Sequence, residues 1–197
     1  MKRDALLVTA IAAVVLVAGC VQSDKPITEI AFEGQSRVYT FANDIRQSIL
    51  VKATDEKNIH GLFQSQDRLS IVFDGTDPTD NGLFRIALFD ISSKLPFYLA
   101  SQGRDVAIDV YYFVQDGGKQ WYNFQNEPIE EPQLAGLTLR LKGPATGASE
   151  TSVMLENTTV TVQGTSRTGI SMAADKLVLI AFGIDSAAQA EKLQPGQ

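Results

Sequence analysis

Short apolar runs, separated by turn-forming residues, dominate the chain from Ile27 onward. Several runs alternate apolar and polar positions, as a strand with one buried face does. Their spacing of roughly 8–12 residues is typical of β-sandwiches. We therefore predict an all-β fold, an antiparallel β-sandwich of one or two small subdomains that follows an N-terminal signal helix. The predicted strands are 27–32, 37–41, 48–53, 69–73, 83–89, 106–114, 120–124, 137–141, 152–155, 159–163 and 177–182.

Turn residues indicate how some of these strands connect. Residues 33–36 and 116–119 read as hairpin turns, and the second contains Asp-Gly and Gly-Gly steps that supply positive φ. The Asp-rich residues 74–82 read as a loop between two strands. The unbroken apolar run 177–182 predicts a central strand covered on both faces. Helical content is expected to be small, because Pro96 limits any helix in 91–100.

The predicted domain spans residues 27–185. Residues 125–136 contain two prolines and three glutamates. They either divide two β-subdomains or form one long loop between sheets. We favour the loop, because the residues beyond it would make a small domain on their own. Residues 186–197 are predicted to be a flexible tail.

The first residues have the pattern of a secretory signal peptide. Lys2 and Arg3 precede an apolar run over 5–17, and the small residues Ala18 and Gly19 follow. The run is shorter than the roughly 20 residues that span a bilayer. We predict a signal peptide over 1–19, and an uncleaved N-terminal anchor is the alternative.

The sequence Val17-Ala18-Gly19-Cys20 resembles the lipobox of prokaryotic lipoproteins. The resemblance covers only residues 1–20. It implies cleavage before Cys20 and attachment of acyl chains, such as palmitate, through a diacylglycerol on the thiol. Residues 20–26 would then tether the domain to the extracytoplasmic face of the cell membrane. The alternative is that Cys20 is a small apolar residue at the end of a helix.

Charge and composition narrow the classes of function. The chain has 17 basic and 23 acidic residues, a net charge of −6, which argues against nucleic-acid binding through a basic surface. Without residues 1–19 the net charge is −7, so membrane attachment would depend on the acyl chains. One Cys and one His exclude an intramolecular disulfide and a multi-histidine metal centre. We predict no cofactor.

An Asp-rich loop is the candidate metal site. Asp74, Asp77 and Asp80 supply carboxylates of the kind that calcium prefers. An EF-hand is excluded, because its twelfth position, counted from Asp77, is Leu88 where a bidentate Glu is needed. The alternative is that these residues serve turn geometry.

Candidate catalytic residues are few, and we predict no enzyme. His60 lies in a polar segment, and the chain contains no Gly-x-Ser-x-Gly motif. Glu130 and Glu131 are adjacent carboxylates between prolines, a context that favours a solvated loop over a glycosidase pair. Asn157 begins an Asn-Thr-Thr sequon that is a candidate for N-glycosylation.

The predicted hairpin of strands 106–114 and 120–124 is rich in aromatic residues and is the candidate binding surface. Alternation predicts Tyr112 and Trp121 on the inward face, with Tyr111, Phe113 and Tyr122 outward. Tyr111, Phe113, Trp121 and Tyr122 are the candidate binding residues, for a glycan or an envelope protein. The alternative is that these rings only stabilise the sheet through cross-strand pairs.

We thus predict an exported, lipid-anchored protein of the cell envelope that acts as a non-catalytic binding or assembly module. A lipid-anchored solute- or glycan-binding protein is the alternative, and an envelope hydrolase is a third. A pocket with convergent polar groups would favour ligand binding. A flat apolar patch or an unpaired strand edge would favour assembly.

Overall fold

The computed structural model describes residues 25–195 and shows a mixed α/β fold. The predicted signal peptide 1–19, Cys20 and residues 21–24 of the tether lie outside the described residues. The strands are β1 (Glu29–Ala31), β2 (Val38–Thr40), β3 (Lys52–Ala53), β4 (Arg68–Asp74), β5 (Ala107–Gln115), β6 (Lys119–Asn123), β7 (Pro128–Ile129), β8 (Leu137–Lys142), β9 (Ser152–Glu156) and β10 (Thr159–Gln163). The helices are α1 (Ile45–Ile49), α2 (Glu56–Ser65), α3 (Pro78–Ser101), α4 (Arg167–Phe182) and α5 (Ala187–Lys192), with a short 3-10 turn at Pro144–Thr146.

The prediction of an all-β antiparallel sandwich is wrong. The main sheet has eight strands in the order β3-β9-β10-β8-β4-β5-β6-β7. Its four central strands, β10, β8, β4 and β5, are parallel, and antiparallel partners flank them as hairpins. Strands β1 and β2 form a separate antiparallel pair. The predicted hairpin turns at 33–36 and 116–119 are confirmed.

Two predicted strands are helical. Residues 83–89 lie within α3 and residues 177–182 lie within α4. Both helices are buried on several sides, so their sequences lack the single apolar stripe that marks a surface helix. Short apolar runs do not distinguish a buried strand from a buried helix. Residues 48–53 are also not one strand, because α1 ends at Ile49 before β3 begins.

The ends of both helices carry ordinary sequence signals. The Asp77 side chain caps α3 by accepting hydrogen bonds from the backbone N–H groups of Thr79 and Asp80, and Pro78 occupies the first turn. The Ser166 side chain caps α4, and Gly183 ends it with φ of 74°. Pro96 lies inside α3 without ending it. The loss of one helical hydrogen bond there is offset by buried neighbours such as Leu95 and Leu99.

The helices cover one face of the sheet. Helices α3 and α4 pack against each other, and the β1–β2 pair lies against their C-terminal ends through contacts between Phe32 and the rings of Tyr98 and Phe182. On the opposite face, the Ala135 N–H donates to Ser70 Oγ at 2.8 Å, so the segment before β8 crosses β4. The strands before and after residues 125–136 belong to one sheet.

The predicted C-terminal tail contains a helix and contacts strand β1. Within the predicted tail, residues 187–192 form α5, Ala190 is buried, and the Leu193 carbonyl accepts a hydrogen bond from the Ala31 N–H. In residues 25–195, no helix has both the length and the apolar character needed to cross a membrane.

Candidate functional site

The aromatic residues of the β5–β6 hairpin divide between two faces of the sheet. Strand register pairs Tyr112 with Tyr122, and Phe113 with Trp121. Tyr111 shares its face with Phe113, because residues two apart in a strand point the same way. The predicted grouping of Tyr122 with Tyr111 and Phe113 is therefore wrong, and Trp121 lies on their side of the sheet. The four candidate binding residues do not form one surface.

A groove runs between α3 and the hairpin on the helical face of the sheet. Its volume is about 470 Å³, and a neighbouring hollow of about 490 Å³ continues it along α3. We call it the α3–hairpin groove. It combines aromatic rings with amide, hydroxyl and guanidinium groups and is lined by Phe73, Asn81, Arg85, Leu88, Phe89, Ser92, Val110, Tyr112, Phe124 and Asn126.

Helix α3 supplies one wall of the groove. Asn81, Arg85, Leu88, Phe89 and Ser92 occupy positions i, i+4, i+7, i+8 and i+11, which form one stripe along a helix. Leu88 is buried against the core, whereas Phe89 is 70% exposed. The stripe therefore presents a large apolar ring beside a cation at the mouth of the groove.

Tyr112 is the centre of the opposite wall. Its ring stacks on Phe73 at 5.5 Å and on Tyr122 at 5.0 Å, both nearly parallel. Gly75 permits this position, because a Cβ there would lie 2.9 Å from Tyr112 Cδ2. Burial raises the pKa of the Tyr112 hydroxyl, Tyr122 adds to the rise, and the Arg85 cation opposes it. Arg85 is therefore close enough to influence Tyr112 electrostatically.

The turn after β6 completes this wall. Asn123 Oδ1 accepts hydrogen bonds from the backbone N–H groups of Gln125 and Glu127, which organises the turn. Asn126 adopts φ of 64°, and its Oδ1 accepts from the Tyr112 hydroxyl at 2.9 Å. Phe124 is 63% exposed in this turn. A local hydrogen-bond network thus holds an exposed ring opposite α3.

In many open α/β sheets, ligands bind at the edge formed by the carboxyl ends of the parallel strands. In this fold Asp80 lies at that edge and joins two segments across it. This buried carboxylate accepts hydrogen bonds from both the N–H and the hydroxyl of Thr146, each at 2.9 Å. Gly143 lies so close to the carboxylate that a Cβ there would collide with it. The N-terminus of α3 and the loop after β8 are therefore joined across this edge.

The candidate calcium ligands have separate structural roles. Asp77 caps α3, and the N–H groups of Thr79 and Asp80 lower its pKa. Asp74 Oδ1 accepts from the Thr76 N–H, and its Oδ2 accepts from the Gln115 side chain. In the part of the chain that the structure describes, no group of three or more His, Cys, Asp or Glu side chains is placed to hold a metal ion.

The other single residues of interest lie apart from the groove. His60 is half-buried on α2, and its Nδ1 lies 3.0 Å from the carbonyl oxygen of Ile180. Glu130 is exposed, and Glu131 pairs with Lys119 at 3.4 Å. Asn157 is exposed in the two-residue turn between β9 and β10 with φ of 56°, a conformation that Asn tolerates.

A second, more polar hollow of about 670 Å³ lies on the opposite face of the sheet. Tyr111, Asn123 and Gln133 line it, together with Arg68, which pairs with Asp109 at 2.5 Å. Nearby, Lys119 lies over the rings of Phe113 and Trp121. Three of the four predicted binding residues therefore belong to this face.

The sequence interpretation missed the helical wall of the groove. Arg85 and Phe89 lie in residues 83–89, which were predicted to be a strand. The Asp77-Pro78 helix start and the spacing of Asn81, Arg85 and Leu88 are the signals that could have revealed it. Comparison with family models, with curated proteins and with solved structures finds no match for this chain.

Proposed function

We propose that this chain is an exported envelope protein, anchored through a lipid on Cys20, that binds a small ligand in the α3–hairpin groove. The observation that carries the proposal is the groove itself, with a ring exposed on each wall and several polar groups converging on it. Concave sites with apolar rings and a few placed polar groups are typical of small-molecule binding. The proposed anchoring rests on the sequence of residues 1–20.

Ligand binding is better supported than assembly through a strand edge. Both edge strands of the main sheet, β3 and β7, are only two residues long. Such short edges offer few free backbone groups for pairing with another chain. The groove, by contrast, has the concavity that a small ligand needs.

The binding test uses a neutral aromatic probe, N-phenyl-1-naphthylamine. The full chain is held in a supported bilayer, and a protein-free bilayer serves as the reference that removes partition into lipid. We expect the probe to bind, and we expect Phe89→Ala and Phe124→Ala each to weaken binding several-fold. Leu50→Ala is the matched control, because Leu50 is 83% exposed but does not line the groove. Equal weakening by all three variants would contradict the proposed site.

The anchoring test compares the parent chain with Cys20→Ser after cell fractionation. We expect the parent in the membrane fraction and the variant released or left unprocessed. A variant that stays membrane-bound at the processed size would contradict lipid attachment.

Glycan binding on the opposite face is a second candidate. The polar hollow combines the Tyr111 ring with planar polar groups of Asn123 and Gln133, a combination suited to stacking on a sugar. We expect N-acetylglucosamine oligosaccharides to bind in this case, and Tyr111→Ala to abolish the binding while Tyr122→Ala leaves it unchanged.

A further inference from the structure

The charge of the α3–hairpin groove indicates what kind of ligand it takes. Arg85 is the one charged side chain among the described residues that line the 470 Å³ groove itself. Asp109, which lines the neighbouring hollow, is paired with Arg68. The chain as a whole is acidic, with a net charge of −6. A cation held in the groove of an acidic protein is a local feature that general surface composition does not explain.

Arg85 also differs from most other arginines of the fold. Arg46 pairs with Asp44, Arg68 pairs with Asp109, and Arg104 donates to the backbone carbonyls of Phe63 and Gln66. Within residues 25–195, no ion pair within 4.0 Å involves Arg85. Its guanidinium donors are therefore available to an incoming group.

A second donor lies on the facing wall. Asn126 uses its Oδ1 to accept the Tyr112 hydroxyl, which leaves its side-chain N–H₂ without a protein partner among the described residues. Asn81 uses its N–H₂ to bind the Gly75 carbonyl. Arg85 and Asn126 thus offer N–H donors from the two walls, and the rings of Phe89 and Phe124 lie beside them.

We propose that the groove binds an anionic ligand with an aromatic or apolar body. A carboxylate, sulfonate or phosphate group pairs with Arg85, and the body packs against Phe89 and Phe124. Charge-assisted hydrogen bonds to a guanidinium are stronger than neutral ones, and an apolar surrounding strengthens them further. This inference rests on the proposed function, because it names the ligand class of the same groove.

The test compares two probes that differ in one group. They are 1-anilinonaphthalene-8-sulfonate, which is anionic, and the neutral N-phenyl-1-naphthylamine, which has the same ring system. In the bilayer-held full chain we expect the anionic probe to bind about tenfold more tightly than the neutral one. Raising the salt from about 0.05 M to about 0.5 M should weaken only the anionic probe.

Two substitutions assign this preference to Arg85. We expect Arg85→Gln to lower the affinity for the anionic probe about tenfold and to change the affinity for the neutral probe much less. Arg140→Gln is the matched control, because Arg140 is exposed on the other face of the sheet and also has no ion pair within 4.0 Å in residues 25–195. It should change neither probe. Melting temperatures confirm that both variants are folded.

The outcomes separate this inference from the proposed function. Equal affinities for the two probes, or equal losses in Arg85→Gln and Arg140→Gln, would overturn the anion preference while groove binding stands. Binding of neither probe would overturn both. Repeating the titration with an anionic phospholipid in the bilayer distinguishes the source of the anion. Competition by this bilayer, lost in Arg85→Gln, would identify a lipid headgroup as the source of the anion and support the anion preference.

Discussion

Helix α3 has two sides with opposite characters. The side that faces α4 is sealed and includes an ion pair between Asp90 and Lys94, whose side chains are 8% and 5% exposed. The side that faces the β5–β6 hairpin is open and presents Arg85 and the 70% exposed Phe89. The same helix therefore carries charges of two kinds. Asp90 and Lys94 pair with each other inside the fold, whereas Arg85 faces the groove and is available to a ligand.

The sealed side contains a continuous polar network. Lys94 Nζ donates to Asp90 Oδ1 at 2.9 Å, and the Ser171 hydroxyl donates to Asp90 Oδ2. The Asn43 side chain donates to both Ser171 Oγ and Asp175 Oδ2, which joins the N-terminal segment to α4. Buried charges are tolerated when they are paired and hydrogen-bonded in this way. The partners of a charge, and not its position on a helix, therefore decide its role.

The largest effect is expected from Phe84→Ala. Phe84 is fully buried on α3 and contacts the Phe73 ring at 5.3 Å. Removing it leaves a cavity, so we expect a loss of about 3–5 kcal/mol in the free energy of unfolding. Urea denaturation measures this loss. A change under about 1 kcal/mol would mean that Phe84 is not part of the packed core.

Breaking the buried ion pair should have the next largest effect on the free energy of unfolding. Lys94→Met keeps the volume but leaves the Asp90 carboxylate without its partner, and we expect a loss of about 3 kcal/mol in the free energy of unfolding. Urea denaturation again measures it, with the exposed Lys57→Met as the control. Adding Asp90→Asn to Lys94→Met removes the unpaired charge, so the double variant should recover part of the loss. No recovery would contradict the assigned pairing.

The pH dependence of stability tests the same network. Burial raises the pKa of Asp175 to about 6, the nearby Asp90 adds to the rise, and hydrogen bonds from Asn43 with the charge of Lys94 oppose it. An unfolded chain ionises this group near pH 4. Between about pH 4 and pH 6 the folded state holds a proton that the unfolded state releases, so stability falls as the pH rises. Ionisation of Asp175 therefore lowers the free energy of unfolding by about 3 kcal/mol over this range. The loss stays constant above the folded pKa.

Asp175→Asn removes this titration. We therefore expect its free energy of unfolding to fall less than that of the parent chain between pH 4 and pH 7, by about 3 kcal/mol. Denaturation at several pH values measures the two slopes. Asp105→Asn, on an exposed residue, is the control with the same change of charge. Parallel slopes for the parent and Asp175→Asn would refute the assignment.

The smallest effect on stability is expected on the open side. Phe89→Ala removes a ring that is mostly in solvent, so its free energy of unfolding should stay within about 0.5 kcal/mol of the parent. Its binding of N-phenyl-1-naphthylamine should nevertheless weaken. Comparing it with Phe84→Ala gives the sharpest contrast, since both replace Phe on α3. A large loss of stability in Phe89→Ala would remove the distinction between the two sides.

Sequence patterns predicted the strands more reliably than the helices. The alternating runs that became β8, β9 and β10 were predicted within one residue at each end. Turn chemistry at 33–36 and 116–119 was equally informative, because positive φ at Gly is a local requirement. Helices α3 and α4 were missed, because burial on several sides removes the periodicity that identifies a helix.

The candidate site was predicted only in part. Tyr122 and Phe113 were expected on one face, but the register of the hairpin puts them on opposite faces. A shift of one residue in register exchanges every side chain between the faces, and alternation within one strand does not determine the register of its partner. The groove also needs α3, which the sequence interpretation had replaced with a strand.

Local sequence fixes the turns, the alternating strands and the helix caps Asp77 and Ser166 of this protein. These depend on neighbouring residues, through backbone conformation and short hydrogen bonds. Long-range packing places Arg85 and Phe89 opposite Tyr112 and Phe124 across the α3–hairpin groove. Those residues lie on two elements whose pairing depends on how α3 packs on a parallel sheet, and packing joins positions that are distant in the chain.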